Sequence, residues 1–261
     1  MPTVTLFAKA HNSRRLDSFD RMLKTMLEGL EVQVKTNGAT GRGWIQVSIS
    51  GEDEKVAQRL LEEKIGLCPA SLETIQRFST VKGRIMNLKN SKTELRIDLG
   101  IQSPDVVDAS IQLETLQAQL VDGRKTSLAE IAELFGLCEN LPFTVKIQSV
   151  NDQEKSVRAQ IAEKQRAQFL TWTESLLDRL LVLGTSLSQI DLAIEKAGLE
   201  RDVIGIEPLG GFEYAVVCKL GTDARGLVPK IGKHLGTARL TVFSPRKIFS
   251  FFGNQLPLPI S

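Results

Sequence analysis

The chain has 261 residues, 42% of them hydrophobic, which suits one large folded domain or two to three small ones. No apolar stretch approaches the roughly 20 residues that cross a bilayer, and residues 1–10 lack the pattern of a secretory signal. We therefore expect a cytoplasmic protein with no membrane partner. The formal net charge is only +2, but residues 219–261 carry seven Lys or Arg side chains and one Asp. The basic charge is concentrated at one end.

Cysteine and histidine are too few and too scattered to build a metal site or a disulfide framework. Cys68, Cys138 and Cys218 form no Cys-x-x-Cys pair, and the chain has only two histidines. Buried free thiols are the simpler interpretation. The sequence therefore predicts no metal and no other cofactor.

Residues 1–76 alternate between strand and helix patterns. The predicted elements are strands at 4–8, 32–34 and 45–49 and helices at 19–30 and 56–65. The order βαββα indicates a small α+β layer, in which helices cover one face of a sheet.

Residues 77–166 have the pattern of a small β-barrel. The predicted elements are strands at 81–88, 95–99 and 108–111, a helix at 127–137, and a hairpin from 145–150 and 157–161. Five strands with a helical insertion between the third and fourth describe an oligonucleotide-binding (OB) barrel.

The barrel segment resembles the OB domain repeated in the largest small-subunit ribosomal protein. The resemblance covers residues 80–164 and rests on three motifs: Lys82-Gly83-x-Ile85, Ile97-Asp98-Leu99-Gly100 and Asp108-Ala109-Ser110-Ile111. It implies an RNA-binding barrel.

This chain departs from that pattern at the positions that stack on bases. Thr93 and Arg96 stand where the family has two aromatic residues, and Gln112 stands where it has a histidine. Binding must then depend on cations, because the stacking residues are gone. The predicted contact residues of the barrel are Lys82, Arg84, Lys89, Lys92, Arg96 and Lys146.

Residues 167–261 read as a helical segment followed by a second α+β layer. The predicted elements are helices at 169–184 and 186–197, a hairpin over 203–218 around Gly210-Gly211, a basic glycine-rich helix at 226–236, a strand at 238–243 and an apolar tail at 249–261. The fold class is therefore α+β multidomain, with a central barrel between two α+β layers.

The whole order of elements, with the segment "VVCKLGTDARGLVPKIGKHL" near the end, resembles an uncharacterised archaeal family known only as a domain of unknown function. A looser likeness in architecture exists to the alpha subunit of the archaeal second translation initiation factor. Neither resemblance implies an enzymatic activity.

The C-terminal basic segment carries the strongest functional signal in the sequence. Thr222 or Asp223 can cap the helix that follows, and its first amides would point at an anion such as phosphate. The predicted contact residues of this segment are Lys219, Arg225, Lys230, Lys233, Arg246 and Lys247. A capped helix whose charges are simply solvated explains the pattern equally well.

Two further patterns are weaker. Arg42 and Trp44 beside a glycine-rich loop are typical of a single-strand binder, but a packed tryptophan after a hairpin loop is the simpler interpretation. For catalysis, Cys218 with His234 and the carboxylates around Asp98 form no complete set of nucleophile, base and oxyanion donor. We therefore predict that the protein is not an enzyme.

Taken together, the sequence predicts a cytoplasmic RNA-binding protein that contacts phosphates and RNA shape, in the setting of the ribosome or the transcription machinery. The alternative is a protein-interaction scaffold that uses the barrel and the tail residues Phe249, Phe251 and Phe252.

Overall fold

The computed structural model describes residues 3–10, 13–102, 105–151 and 153–253, with the backbone alone at 13–15 and 18. The chain forms two compact units. Unit 1 comprises the described residues of Met1–Thr74 and Gly100–Val106, and unit 2 comprises those of Ile75–Leu99 and Val107–Ser261. None of the helices in these ranges is long and apolar enough to cross a membrane.

Unit 1 is a three-stranded antiparallel sheet with two helices. Its elements are β1 (Thr3–Lys9), α1 (Ser13–Met26), β2 (Val32–Ala39), β3 (Trp44–Gly51) and α2 (Glu54–Lys64). The strand order is β1-β3-β2. The central strand alternates as predicted, because Ile45, Val47 and Ile49 are buried while the residues between them are more exposed. The predicted βαββα order is confirmed.

Unit 2 begins with a closed five-stranded barrel, which confirms the predicted fold of this segment. Its elements are β4 (Thr80–Met86), β5 (Glu94–Asp98), β6 (Asp108–Gln112), α3 (Leu113–Leu120), α4 (Leu128–Phe135), β7 (Pro142–Asn151) and β8 (Ser156–Ile161). The barrel order is β4-β5-β6-β8-β7, and the parallel pair β6–β8 closes it. The helical insertion contains α3, which the sequence pattern does not predict, as well as α4.

The rest of unit 2 is a βαββαβ domain preceded and followed by a helix. Its elements are α5 (Glu163–Glu174), β9 (Arg179–Leu183), α6 (Leu187–Ala197), β10 (Val203–Pro208), β11 (Glu213–Cys218), α7 (Ala224–Leu235), β12 (Arg239–Phe243) and α8 (Pro245–Phe251). The antiparallel sheet has the order β10-β11-β9-β12, which is the arrangement of ferredoxin-like domains.

The predicted helix over 169–184 is wrong in its second half. The chain leaves α5 after Glu174, turns at Leu176 with a φ of 59°, and continues as β9 in the centre of the sheet. All five residues of β9 are buried. A strand buried on both faces is a continuous apolar run, which periodicity alone does not distinguish from a helix.

The predicted apolar tail is also wrong where the structure describes it. Residues 249–251 complete α8, and Phe252 behind them is buried. The guanidinium of Arg124 lies 5.4 Å from the ring centre of Phe251 and 4.7 Å from that of Phe252. Its Nη1 also donates a hydrogen bond to the carbonyl of Phe251 at 2.8 Å. The remaining tail residues lie outside the described ranges.

The sheet of the βαββαβ domain is covered on both faces. On one face, Leu180, Val182 and Val216 belong to a core with α6 and α7. On the other face, Phe243 packs against Phe169 and Trp172 of α5, and Glu213 bonds to Arg84 of the barrel. The barrel and this domain therefore form one body around a shared interior.

Candidate nucleic-acid interface

Three side chains lie side by side across three strands of the barrel. Arg96 on β5 is opposite Ser110 on β6, and Ser110 is opposite Arg158 on β8. The residues on either side of each are buried in the barrel, so these three point outward. Adjacent strands are about 4.8 Å apart, so the backbones of the two arginines are roughly 10 Å apart. We call these three residues the barrel row.

Lysines in two loops border the barrel row. Lys89 and Lys92 are exposed in the β4–β5 loop, where the carboxylate of Glu139 accepts a hydrogen bond from the amide of Asn87 at 3.1 Å. Lys155 is exposed in the β7–β8 loop. The face of β5 and β6 and these two loops are the parts of OB barrels that bind oligonucleotides, and β8 adjoins that face through its pairing with β6.

One carboxylate shares the face with the barrel row. Glu94 accepts a hydrogen bond from Nε of Arg96 at 2.8 Å and another from the side-chain amide of Gln112 at 3.1 Å. Half of the Arg96 side chain stays exposed, at 49%. An ion pair this exposed contributes about 0–1 kcal/mol, so Glu94 orients the guanidinium while a phosphate can still compete for it.

Arg84, predicted to contact nucleic acid, is a structural residue. Its side chain is 1% exposed and forms two bonds with the carboxylate of Glu213, from Nη1 at 2.8 Å and from Nη2 at 2.9 Å. Nη1 also donates to the carbonyl of Asn140 at 3.0 Å. Arg84 stands before the inward-facing Ile85 in the sequence, which predicts that it faces solvent. The prediction is wrong because Glu213 of a later domain covers this position, which the sequence of β4 does not show.

Lys82 and Lys146 are placed on the side of the barrel formed by β4 and β7. The ammonium of Lys82 donates to the carbonyl of Leu209 at 3.0 Å, and burial, followed by the nearby Arg84 charge, lowers the pKa of this lysine. With Lys164 it lines a cavity of 560 Å³ beside α5. Lys146 lies 3.6 Å from a carboxylate oxygen of Glu163.

The predicted phosphate site at the start of α7 is already occupied by carboxylates. Asp223 accepts a hydrogen bond from the amide of Arg225 at 2.9 Å, and Asp178 accepts one from the amide of Ala224 at 3.2 Å. Of the two interpretations of this segment, the capped helix is the one present. A phosphate there would meet two negative charges.

The C-terminal cations do not form one group. Arg225 and Lys247 both pair with Glu133 of α4, at 3.6 and 2.7 Å, and Arg246 lines a depression with Glu133 and Lys247. Lys219 lies exposed after β11, and Lys230 and Lys233 lie on the exposed side of α7. Thus the paired cations of the barrel and of the C-terminal segment engage different carboxylates instead of converging on one group. The pairs are Arg84 with Glu213, Arg96 with Glu94, Lys146 with Glu163, and Arg225 and Lys247 with Glu133.

In unit 1, Trp44 is a core residue. Its side chain is fully buried, its ring centre lies 5.6 Å from that of Phe7, and the ammonium of Lys9 lies 4.4 Å from its ring centre. The tryptophan is therefore not a stacking platform, and the simpler interpretation of this segment is the correct one. Close to it, a side chain at Gly100 would collide with the neighbouring Cys68, which makes glycine necessary at that position.

The thiols of unit 2 are poor nucleophiles. Burial raises the pKa of Cys138 to about 12 and that of Cys218 to about 11. Within the described ranges, no three His, Cys, Asp or Glu side chains could hold a metal ion together.

We expect iodoacetamide to leave Cys138 and Cys218 unlabelled in the native protein at pH 8, because a pKa of about 11 leaves about one thiolate in a thousand at that pH. Peptide mass spectrometry after labelling, with urea-denatured protein as the control, gives the result. Rapid labelling of native Cys218 would contradict the buried, inert thiol and favour a catalytic interpretation.

Sequence reasoning missed two residues of this surface. The hairpin pattern marks Arg158 only as a strand residue, although it alternates with Val157 and Ala159 as Arg96 does with its own neighbours. Phe78 precedes the first strand of the barrel and belongs to no predicted element. In the structure it is 62% exposed, one of the most exposed large apolar side chains described.

These features define a class of protein: a small α+β unit, followed by an OB barrel fused to a ferredoxin-like domain. The chain belongs to the DUF2110 family. Its N-terminal domain model matches residues 3–71, its central domain model 76–173 and its C-terminal domain model 177–243. The resemblance to a domain-of-unknown-function family is thereby confirmed. No curated protein matches the chain.

Two solved structures are similar at a low level. A chain in the crystal structure of an a/eIF2alpha–aDim2p–rRNA complex from Pyrococcus horikoshii is 13% identical over 49% of this chain and 70% of that chain, with a TM-score of 0.27. The structure of ttk003000868 from Thermus thermophilus is 11% identical over 97% of this chain and 43% of that chain, with a TM-score of 0.14. Neither score is high enough to support a shared function.

Proposed function

We propose that the protein is a non-enzymatic RNA-binding protein whose barrel holds the backbone of a single strand. The observation that carries this proposal is the barrel row, two arginines in register on either side of Ser110. Guanidinium groups donate charge-assisted hydrogen bonds to phosphate oxygens, often in pairs. The loop lysines Lys89 and Lys92 extend the same positive surface.

Recognition of phosphates explains the lack of base-stacking residues on these strands. The sequences of β5, β6 and β8 contain no aromatic residue, and backbone contacts carry no sequence information. Ser110 and Gln112 supply hydroxyl and amide groups beside the cations, which suits the 2′-hydroxyl of RNA. We therefore expect weak sequence preference and a strong dependence on salt.

The double variant Arg96→Ala/Arg158→Ala is expected to bind a 12-nucleotide uridine RNA about tenfold or more weakly than the unmodified protein. Each phosphate contact contributes about 0.7 to the slope of log affinity against log salt for single strands, so this slope should fall by about 1.4. Fluorescence anisotropy titrations at several salt concentrations measure both quantities.

The matched control is Lys196→Ala/Arg201→Ala, which removes the same charge from exposed positions of the βαββαβ domain. We expect this control to bind RNA within about twofold of the unmodified protein. Equal weakening of both double variants would show that only net charge matters, and the barrel row would then not be the site.

The rival function, a protein-interaction scaffold, predicts no RNA affinity at all in the same titration. The tail, one of its two predicted contact surfaces, is partly engaged within the chain, because Phe251 and Phe252 pack against Arg124 inside unit 2. The barrel row fits any accessible single strand and does not select one assembly. Association with the ribosome or with RNA polymerase therefore stays a prediction from the sequence.

A further inference from the structure

Phe78 is the third residue of a tight turn, which the amide of Ser79 closes by donating a hydrogen bond to the carbonyl of Gln76 at 3.1 Å. Its φ is 68°, in the left-handed region that non-glycine residues rarely adopt, and its side chain is 62% exposed. Its backbone is nevertheless fixed, because its amide donates to the carbonyl of Ile147 at 2.8 Å and the amide of Ile147 donates to the carbonyl of Ser79 at 2.9 Å. An apolar ring is thus presented to solvent by a rigid backbone.

A guanidinium lies against the same ring. The Cζ atom of Arg77 is 4.6 Å from the ring centre of Phe78, and its Nε donates to the carbonyl of Gln148 at 3.0 Å. The hydrogen bond to β7 therefore holds the guanidinium of Arg77 next to the aromatic ring of Phe78. An aromatic ring beside an arginine is the pair of groups that single-strand-binding proteins use to stack bases and hold phosphates.

The pair lies beside β7, around the barrel from the row. A β-bulge at Gln148 interrupts the pairing of β7 with β8 between Ile147 and Ser149. The side-chain amide of Gln148 donates to Gln160 at 2.9 Å, and Gln160 shares the outward face of β8 with Arg158, two residues away. Arg77 and Phe78 thus extend the surface that begins at Arg96.

We propose that Phe78, backed by Arg77, stacks on a base of the RNA strand whose phosphates lie along the barrel row. This inference rests on the proposed function and specifies its ligand as a single strand with at least one unstacked base. It supplies from outside the regular strands the aromatic platform that Thr93 and Arg96 do not provide. A duplex, whose bases are stacked internally, does not offer this contact.

The test compares Phe78→Ala and Phe78→Trp in anisotropy titrations with the 12-nucleotide uridine RNA and with an abasic strand of the same length. Loss of one stacking contact is expected to weaken uridine binding by about five- to hundredfold. Binding of the abasic strand should change less than about twofold, because that strand has no base to lose. Phe78→Trp should bind uridine RNA at least as well as the unmodified protein.

One further variant and one further readout complete the test. Phe78→Gly adopts the positive φ without strain, so it serves as a second truncation if Phe78→Ala folds poorly. The tryptophan of Phe78→Trp should be quenched by uridine RNA and not by the abasic strand, and the natural Trp44 and Trp172 are buried and contribute little change.

The outcomes separate the two proposals. If uridine and abasic strands bind equally to the unmodified protein, and Phe78→Ala changes neither, the stacking inference fails while phosphate binding stands. If no strand binds, the proposed function fails with it. Exposure of Phe78 would then be explained by an apolar contact with a protein.

Discussion

Replacing Glu213 by glutamine is expected to lower the free energy of unfolding by about 3–5 kcal/mol. The carboxylate of Glu213 is almost fully buried and receives two hydrogen bonds from the guanidinium of Arg84, at 2.8 and 2.9 Å. The substitution leaves the arginine charge in the interior without its counter-charge. Urea unfolding followed by circular dichroism measures the loss.

Two controls show that the effect comes from the unpaired charge. The double variant Arg84→Met/Glu213→Leu should recover most of the stability, because an apolar pair of similar volume avoids desolvating two ions. Glu195→Gln, at an exposed position of α6, should change stability by less than about 0.5 kcal/mol. A loss below about 1 kcal/mol for Glu213→Gln would contradict a buried ion pair at this position.

The second large effect is expected from Phe169→Ala, at about 3–5 kcal/mol. Phe169 on α5 has ring-centre distances of 5.2 Å to Phe135, 6.3 Å to Phe143, 6.1 Å to Trp172 and 6.1 Å to Phe243. These rings come from the helical insertion, the barrel, α5 and β12. Removing the central ring therefore leaves a cavity lined by four rigid neighbours, which cannot collapse to fill it.

Thermal and urea unfolding of Phe169→Ala measure this loss, and Leu192→Ala on the exposed side of α6 is the matched control. The control should lose less than about 0.5 kcal/mol. A similar small loss for both variants would mean that the aromatic cluster does not join the barrel to the βαββαβ domain.

The Arg84–Glu213 ion pair and the aromatic cluster around Phe169 determine which surfaces of unit 2 are accessible. The ion pair and the aromatic cluster occupy the sheet face through which ferredoxin-like RNA-binding domains stack bases, so that face of the βαββαβ domain is not available to RNA. The β5–β6–β8 side of the barrel carries the barrel row instead. The proposed interface therefore lies on the barrel, away from the junction.

Elements with a strong local pattern could be predicted from the sequence. The hairpin of β10 and β11 has alternating apolar residues around Gly210-Gly211, and α6 has a capping box at Ser186 and Gln189 and a left-handed Gly198 at its end. Such signals are contained within a few residues. The strand β9 has no such signal, because its surroundings come from β11 and β12 far along the chain.

The candidate site was predicted less well, for a related reason. Whether a cation faces solvent depends on residues that are distant in sequence: Arg84 meets Glu213, and Lys247 meets Glu133. Conversely, the alignment of Arg96 with Arg158 depends on the parallel pairing of β6 and β8, which no local pattern specifies. Composition therefore predicts a polyanion partner, while the strand register determines which cations share one face of the barrel.

Hydrogen–deuterium exchange of the whole protein with and without the 12-nucleotide uridine RNA tests the proposed interface most directly. Binding at the barrel row predicts slower exchange in peptides that cover Glu94–Asp98 and Ser156–Ile161, and in the segment that contains Phe78. Protection confined to Ala224–Leu235, or no protection at RNA concentrations that saturate the titration, would contradict it.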